Sequence, residues 1–565
     1  MNVDEICHLS DQQQSEVIAE HFSKIQNKYE QLKTSDIVVP MYERSEVPQF
    51  KTRQVWFLLS KIQNNKSFVS GDIPPRLIKY CASYIAEPLT HIFNTALLRG
   101  EYPNIYKYEI CTPIQKCYPV TNMSQLRNIS GLLTFDKILE KLLSDLILSD
   151  MAVKMDPSQY GNKKGVGIQH YLIGMVDRIL SSVENKNNEK KAVIASFVDF
   201  ENAFPRQCPK LGVESFIENS VRPALIPLLI SYFQDRKMSV KWHGCRSKDI
   251  TINGGGPAGA TLGILEYISQ SNSCGEFINP EDKFRFVDDC TFLEVLNLGL
   301  LEIVKFYVKN SVPNDIPTHN NYVESSKLKT QEYLKKLSIW TKEKKMKLNS
   351  KKTKAMIFNF SKQNQFTSRI KLENENLEIV KEAKILGTTI TDDLKWDTNT
   401  KNIVKKANAR MQLLSKIAKF KPSMEDLKVI YILFIRSLLE QSCVVWNSSI
   451  TKEDRINLER VQKSAVKIIL NKTDVNYRKA LMELDLKSLE ERRNELCLRF
   501  ATKCTNNDET KQLFPKATKM HHMKLRKSLQ YKENRTKTTR YQRSSIPMMQ
   551  KMLNEEWNLN LNYKK

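Results

Sequence analysis

No Cys-x-x-Cys pair occurs in the 565 residues of this chain. Its eleven cysteines stand singly, at Cys7, Cys81, Cys111, Cys117, Cys208, Cys245, Cys274, Cys290, Cys443, Cys497 and Cys504. That spacing supports neither a structural zinc site nor a disulfide framework, and it fits a reducing compartment. Cys497 and Cys504 could be combined with His521 and His522 as zinc ligands, but the two cysteines fall in an apolar helical pattern that explains them as core. No apolar run of about 18 residues is present, and no basic amphipathic helix with an apolar anchor face stands out, so no membrane partner is expected. The opening Met1-Asn2-Val3-Asp4-Glu5-Ile6-Cys7 lacks a basic n-region and an apolar h-region. No signal peptide is therefore expected, and the chain is placed inside the cell, in nucleus, cytoplasm or both. No internal repeat is apparent.

Positive charge is abundant. Lys and Arg number 88 against 63 Asp and Glu, a formal net charge of +25. Such an excess points to a polyanionic partner held in a salt-dependent way. With 41% hydrophobic residues the chain can bury a sizeable interior. Its length exceeds one core and suggests two to four subdomains.

Two adjacent carboxylates, Asp288 and Asp289, sit between apolar runs in Phe284-Arg285-Phe286-Val287-Asp288-Asp289-Cys290-Thr291-Phe292-Leu293. Neighbouring residues on a strand point to opposite faces, so the pair is more easily placed on the tight turn of a hairpin. A third acid, Asp199, ends the apolar run Val193-Ile194-Ala195-Ser196-Phe197-Val198 and leads into a small-residue turn. Taken singly, these read as an exposed turn and a strand-end cap. Taken together, they read as three acids at one sheet edge and a site for two Mg²⁺, with Mn²⁺ as the alternative ion. Mg²⁺ prefers hard oxygen ligands and keeps some of its water. Two such ions roughly 3.5–4 Å apart stabilise both the attacking and the leaving oxygen of an in-line phosphoryl transfer.

The order of segments resembles the reverse transcriptase of non-LTR (LINE-type) retrotransposons, from about Val55 to the last helix, in a truncated form lacking the endonuclease. Asp199-Phe200-Glu201-Asn202-Ala203-Phe204 is similar to the family's first catalytic motif, with Pro205 where the family closes on Asp. Gly254-Gly255-Gly256-Pro257-Ala258-Gly259 resembles its Gly-x-Pro-Gln-Gly segment, with Ala258 in place of Gln. Phe286-Val287-Asp288-Asp289 matches its Phe/Tyr-x-Asp-Asp box.

The resemblance implies an α/β (α+β) right-hand polymerase with fingers, a palm built on an antiparallel sheet, a helical thumb and a helical C-terminal extension. The implied reaction is RNA-templated addition of dNMP to a DNA 3′-hydroxyl, with Asp199, Asp288 and Asp289 as catalytic and metal-binding acids. Lys116 and Arg127, in segments similar to the fingers motifs, would hold the triphosphate of the dNTP. Phe204 would exclude a 2′-hydroxyl, Gly256, Pro257, Ala258 and Gly259 would line the nucleotide pocket, and Lys352 would contact phosphates. Lys163 and Lys164 lie in a loop resembling the template-side segment. Lys401, Lys405, Lys406 and Arg410 would track the duplex along the thumb. Template RNA, a DNA primer, dNTPs and an endonuclease supplied elsewhere are the implied partners. The segment Ile385–Trp396 resembles the primer-grip hairpin, and its Asp392-Asp393 pair is read as polar turn chemistry without a metal. A non-catalytic nucleic-acid-binding remnant, favoured by Ala258, and a group II intron maturase are the alternatives.

The expected layout is an N-terminal helix and linker over residues 1–50, fingers over 51–190, palm over 191–380, primer grip and thumb over 381–470, and a basic helical region over 471–565. Periodicity predicts helices over 12–32, 53–63, 77–98, 211–219, 223–233, 327–345, 398–419, 424–440, 454–469, 490–504 and 546–557. Strands are expected at 237–242 and 249–253, and a proline-punctuated loop at 310–321. Residues 505–543 read as a weakly ordered basic tail, and no ribonuclease H motif is apparent.

Overall fold

The computed structural model describes residues 3–184, 190–298, 321–323, 328–361, 366–517 and 530–562. Helices α1 (Asp11–Gln26), α2 (Thr52–Ser60), α3 (Pro75–Tyr80) and α4 (Ala82–Arg99) precede strands β1 (Tyr108–Gln115) and β2 (Leu126–Gly131). Helices α5 (Thr134–Met151) and α6 (Ile168–Val183) lead to β3 (Lys191–Val198). Then come α7 (Pro209–Glu218), α8 (Ile226–Phe233), β4 (Arg236–Trp242), β5 (Cys245–Arg246), β6 (Ile250–Ile252) and α9 (Thr261–Gln270). They are followed by β7 (Lys283–Phe286), β8 (Asp289–Asn297), β9 (Asn321–Val323), α10 (Lys329–Glu343) and β10 (Lys354–Phe358). Short strands β11 (Phe366–Ser368), β12 (Lys371–Leu372), β13 (Glu375–Asn376), β14 (Glu378–Ile379), β15 (Glu382–Ile385) and β16 (Thr388–Thr391) follow. The rest is helical: α11 (Asp397–Ala418), α12 (Met424–Ile430), α13 (Ser437–Leu439), α14 (Cys443–Trp446), α15 (Lys452–Leu470), α16 (Tyr477–Glu483), α17 (Leu489–Thr505), α18 (Thr539–Gln542) and α19 (Ser545–Asn562).

Two compact units interleave along this chain. The first comprises Met1–Gln159, Phe200–Glu276 and Lys336–Asn349; the second comprises Tyr160–Asp199, Phe277–Lys335 and Ser350–Lys565.

In the first unit, β1 pairs antiparallel with β2 and parallel with β4, and β4 pairs antiparallel with β5 and β6. The two strands expected at 237–242 and 249–253 are β4 and β6. Val3, Ile6, Ile18 and Phe22 pack with Met238, Val240, Trp242 and Ile252 from β4 and β6. Helix α1 begins at a Ser10–Gln13 capping box and stops at Gln26, six residues short of the periodic pattern. Asn27 stops it: its side-chain amide donates to the Thr251 carbonyl at 2.8 Å and its Oδ1 accepts from the Asn253 N–H at 2.7 Å. The expected linker beyond is packed chain, with Leu32, Ile37, Val47 and Phe50 buried. Its apolar residues are too sparse to show a period.

A polar cluster lies inside this unit. Arg236 is buried beneath the Tyr232 ring, 4.6 Å from its centroid, and Glu109, Asp136, Glu140 and Glu266 are buried too. Burial pushes the Asp136 and Glu266 carboxyls up to about 8, partly countered by Arg236. Both Glu266 oxygens lack a hydrogen-bond partner among the described residues. A carboxyl raised in the native state binds its proton more tightly there than in the unfolded chain, so its contribution is full below about pH 4 and is lost as pH rises toward 8. Between pH 6 and pH 9 the wild type is expected to lose roughly 3 kcal/mol through Glu266, about two pH units at 1.36 kcal/mol each. Glu266→Gln should remove that part of the slope, as read by urea midpoints across pH.

In the second unit a sheet of order β14-β10-β3-β8-β7 forms, antiparallel except for the β10–β14 edge pair. Strand β3 is central and covered on both faces, so it reads as an unbroken apolar run rather than an alternation. Helix α6 supplies Tyr171, Met175, Val176 and Ile179 to the core shared with Val193, Ala195, Leu293 and Met356. The β15–β16 hairpin is where the primer-grip resemblance placed one. The helix expected over 424–440 is α12, a π-type stretch at Tyr431–Arg436, and α13.

Among the described residues one helical stretch, Met424–Trp446, is long and apolar enough to cross a membrane by length and composition, with mean hydropathy 1.5. An average passes there although Arg436 and Glu440 break any continuous apolar run. Tyr431, Ile435, Leu439, Cys443 and Trp446 from it are buried in the protein core.

The C-terminal segment expected to be loose is exposed over much of its described length but is anchored to the core at several points. Phe514, Tyr531 and Tyr541 are buried, Cys497 and Cys504 lie in the same core, and Glu184 Oε1 accepts the N–H groups of Lys537 and Thr538. His521 and His522 and, but for Asn321, the 310–321 loop lie outside the described residues.

Candidate active site

Strand register gathers the acids of the second unit. Val198 stands opposite Cys290 across β3 and β8, so carrying the ladder one residue further sets Asp199 opposite Asp289. Phe286 pairs with Asp289, leaving Val287 and Asp288 as a two-residue hairpin loop. Of the two acids expected on the turn, Asp288 is on it and Asp289 opens β8. Val287 adopts φ +60°, a left-handed conformation costing a β-branched residue about 1–3 kcal/mol. That strain fixes where the Asp288 backbone turns.

On the other side of β3, Lys354 pairs with Phe197, and the same extension sets Lys352 opposite Asp199. The Lys352 ammonium lies 4.0 Å from Asp199 Oδ2, and the Asp199 N–H donates to the hydroxyl of buried Thr353 at 3.2 Å. One end of one sheet therefore carries Lys352, Asp199, Asp289 and Asp288 in sequence across neighbouring strands. Thr353, which anchors Asp199, was not singled out in the sequence; only the register reveals it.

Burial first, then the like charges of Asp288 and Asp199, push the Asp289 carboxyl up to about 6. Water reaches the open side of Asp289, which softens that push without reversing its direction. Among the described residues no group of three or more acid, histidine or cysteine side chains stands placed to hold a metal ion by itself. An open carboxylate set suits Mg²⁺, which is held by one or two carboxylates, retained water and substrate phosphates. Mutual repulsion among Asp199, Asp288 and Asp289 is what a divalent ion, completed by water and substrate phosphate, would relieve. Protons compete for the same oxygens. Affinity for Mn²⁺, read by electron paramagnetic resonance, is expected to be steady above about pH 7 and to fall as pH drops through about 6, by up to tenfold per unit.

Apart from Lys352, the residues expected around the nucleotide lie in the first unit. Lys116 follows β1 and its ammonium donates to the Ser124 carbonyl at 2.8 Å. Arg127 is on β2 opposite Ile114, so Lys116 and Arg127 are diagonal neighbours on one face of the hairpin. Ser130, further along β2, accepts from the Ala258 N–H through its hydroxyl at 3.1 Å and donates its own N–H to the Ala258 carbonyl at 3.0 Å. Ala258 cannot hydrogen-bond through its side chain, but its backbone is held on both sides.

Phe204 lies against the Tyr267 ring with centroids 5.2 Å apart. Gly255 takes φ +72°, and a Cβ there would sit 2.9 Å from the Phe204 carbonyl oxygen. Glycine is thus required for this segment to lie on the Phe204 turn. Buried Gln207 joins the two: its carbonyl accepts from the Gly255 N–H at 2.9 Å, and its amide donates to the Gly263 carbonyl at 3.3 Å. A Cβ on Gly256 would meet Gly263 Cα at 2.7 Å, so Gly256-Pro257 packs directly on the start of α9. Gly259 also has positive φ. Nothing in the sequence signals Gln207, whose role depends on a distant loop.

The basic residues disperse in the second unit. Lys163 pairs with Glu509 at 3.8 Å, and Lys164 is exposed. On α11, Lys401 pairs with Asp397 at 3.2 Å and lines, with Lys405, Asn408, Gln412 and Arg460, a groove of about 740 Å³ against α15. Lys406 is exposed outside the groove lining, and the Arg410 guanidinium donates to the Phe434 carbonyl at 2.5 Å.

Three curated proteins are similar to this chain. A probable RNA-directed DNA polymerase from transposon BS of Drosophila melanogaster is 23% identical over 417 residues, 72% of this chain and 42% of that protein. One from transposon X-element of the same species is 25% identical over 250 residues, 44% of this chain and 26% of that protein. The RNA-directed DNA polymerase from mobile element jockey of Drosophila funebris is 26% identical over 211 residues, 37% of this chain and 23% of that protein. Its curated relatives are transposon polymerases. They agree with the retrotransposon resemblance carried by the motifs. The match spans under half the length of each relative. No protein-family model matches the chain.

Proposed function

We propose that the chain is a reverse transcriptase of a non-LTR retrotransposon, adding dNMP to a DNA 3′-hydroxyl on an RNA template. The observation that carries this reading is the register that lines up Lys352, Asp199, Asp289 and Asp288 at one end of one sheet. Asp199, Asp288 and Asp289 would hold two Mg²⁺, which supply Lewis-acid stabilisation of the attacking and leaving oxygens when bound. Thr353 accepts the Asp199 N–H and so holds the Asp199 backbone at the strand end. Lys352 sets a positive charge beside that carboxylate, where an incoming phosphate would need one. Lys116 and Arg127 would grip the triphosphate, Arg through its planar fork and Lys as a point charge. Phe204, backed by Tyr267, would meet the sugar at C2′ and reject a hydroxyl, with Gly256, Pro257, Ala258 and Gly259 forming the wall beside it.

In this reading the chain is a right-hand polymerase with fingers over 51–190, palm over 191–380, and primer grip and thumb over 381–470. Lys401 and Lys405 track the duplex, and an endonuclease supplied elsewhere nicks the primer strand. The enzyme works in the nucleus, the cytoplasm or both.

Extension of oligo(dT) on poly(rA) with dTTP and Mg²⁺ or Mn²⁺ tests the proposal, and an inert wild-type protein would sink it. Phe204→Val is expected to raise incorporation of UTP relative to dTTP on the order of tenfold or more, the scale for removing bulk from an apolar pocket. Ala258 favours a second reading, a binding-only remnant, which the same assay separates.

A further inference from the structure

We propose that Tyr29 is a positioning residue for sugar selection: its hydroxyl holds the turn that carries Phe204, and so sets how firmly that ring stands against a 2′-hydroxyl. The role presupposes the polymerase reading, and Tyr29 lies ahead of the retrotransposon resemblance, which starts at about Val55. Helix α1 ends at Gln26, and Tyr29 follows on the turn after it. Its hydroxyl donates to the Arg206 carbonyl at 2.9 Å, with the Lys345 carbonyl 3.3 Å away on the same oxygen. Lys345 takes φ +53°, and its ammonium lies 5.4 Å from the Tyr29 ring centroid. A Cβ on Gly254 would run into the Gln26 carbonyl and lie 3.1 Å from the Tyr29 ring. One side chain therefore meets the Phe204 turn, the Lys345 turn and the glycine loop, all within the first unit.

The Phe204 turn has few holds of its own. The Phe204 carbonyl accepts from the Gln207 N–H at 3.3 Å, and the Arg206 N–H donates to the Asn202 carbonyl at 3.0 Å. Pro205 between them has no N–H to give. The Arg206 side chain is turned away to Glu201 at 2.8 Å, which Lys347 also pairs at 2.7 Å. Packing of the Phe204 ring on Tyr267 is non-directional, whereas a hydrogen bond two residues further on fixes the backbone that carries the ring. Burial and then Cys208 push the Tyr29 phenol up, against the pull of Arg206, so its hydroxyl stays a donor at any assay pH.

Tyr29→Phe keeps the ring and removes only the hydroxyl. The ratio of kcat/KM for UTP to that for dTTP is expected to rise about two- to tenfold, the range for one net hydrogen bond, with kcat for dTTP little changed. In a Phe204→Val background the same change should add nothing, because the ring it positions is gone. Gln14→Ala breaks a different hold of α1, in which Gln14 Oε1 accepts from the Trp242 indole N–H at 2.8 Å. That variant should lower the melting temperature and leave the ratio at the wild-type value. Hydrogen exchange over residues 200–208, measured without nucleotide, should be faster in Tyr29→Phe than in wild type. A wild-type ratio in an active Tyr29→Phe protein would overturn the proposal and leave the polymerase reading standing. So would an equal rise in Gln14→Ala, which would make the effect one of general loosening. An inert wild type would overturn both.

Discussion

Asp288→Ala is expected to lower kcat/KM for primer extension by at least about a thousandfold while leaving the melting transition close to wild type. Electrostatic stabilisation at a metal-assisted phosphoryl transfer is worth several kcal/mol, and about 4 kcal/mol corresponds to three decades. Asp288 lies on a two-residue loop, so truncating it removes charge without cutting the β7–β8 ladder. Asp199→Ala should behave alike, since its register sets it across from Asp289. The control is the other acid pair. Asp393 accepts from the Lys395 N–H at 3.0 Å and the Thr391 hydroxyl at 2.8 Å, which are turn contacts. Asp392→Ala, on that same turn, should retain extension within a few-fold. Extension that survives Asp288→Ala at the wild-type rate would remove the acids from the chemistry.

The second large effect is on stability. Arg236→Met is expected to destabilise the protein by about 3–5 kcal/mol at pH 8, the range for removing one partner from a buried charge cluster. Arg236 is 3% exposed, and it is the cation that draws Glu109, Asp136, Glu140 and Glu266 down against their burial. The loss should shrink toward pH 5.5. There the native-state acids can take up protons, and less negative charge is left without its counter-ion. Urea denaturation of both proteins at the two pH values measures this. An equal loss at both would show that packing of the long side chain on Tyr232, not its charge, is what matters.

These sites were legible in the sequence to different depths. Asp199, Asp288 and Asp289 could be read because each borders an apolar run, and strand ends put charges where the sheet stops. Lys352 could be singled out as a phosphate contact through the resemblance, but that Asp199 is its neighbour could not be read. The contact with Asp199 depends on which strand lies beside β3, and β10 arrives about 160 residues later in the chain. Gln207 left no mark, and Ser130 and Thr353 stood in motif-like segments without a role of their own, because a buried polar residue looks like a surface one until its partner is known. Arg236 and Glu266 are the extreme case, charged residues buried where no pattern in the sequence marks them. Helix α1 ended early for a similar reason: Asn27 is an ordinary helix residue until β6 supplies its partners.

The central place of β3 has a consequence for how the protein is made. Its two flanking partners are β8, beginning at Asp289, and β10, beginning at Lys354. At about 5–20 residues per second, roughly 10–30 s of synthesis separate the emergence of β3 from that of β10. Through that interval an apolar strand faces the solvent along at least one open edge, a template for pairing with any other nascent copy on the same message. Production at low temperature or with a holdase chaperone should therefore improve soluble yield more than any single surface substitution.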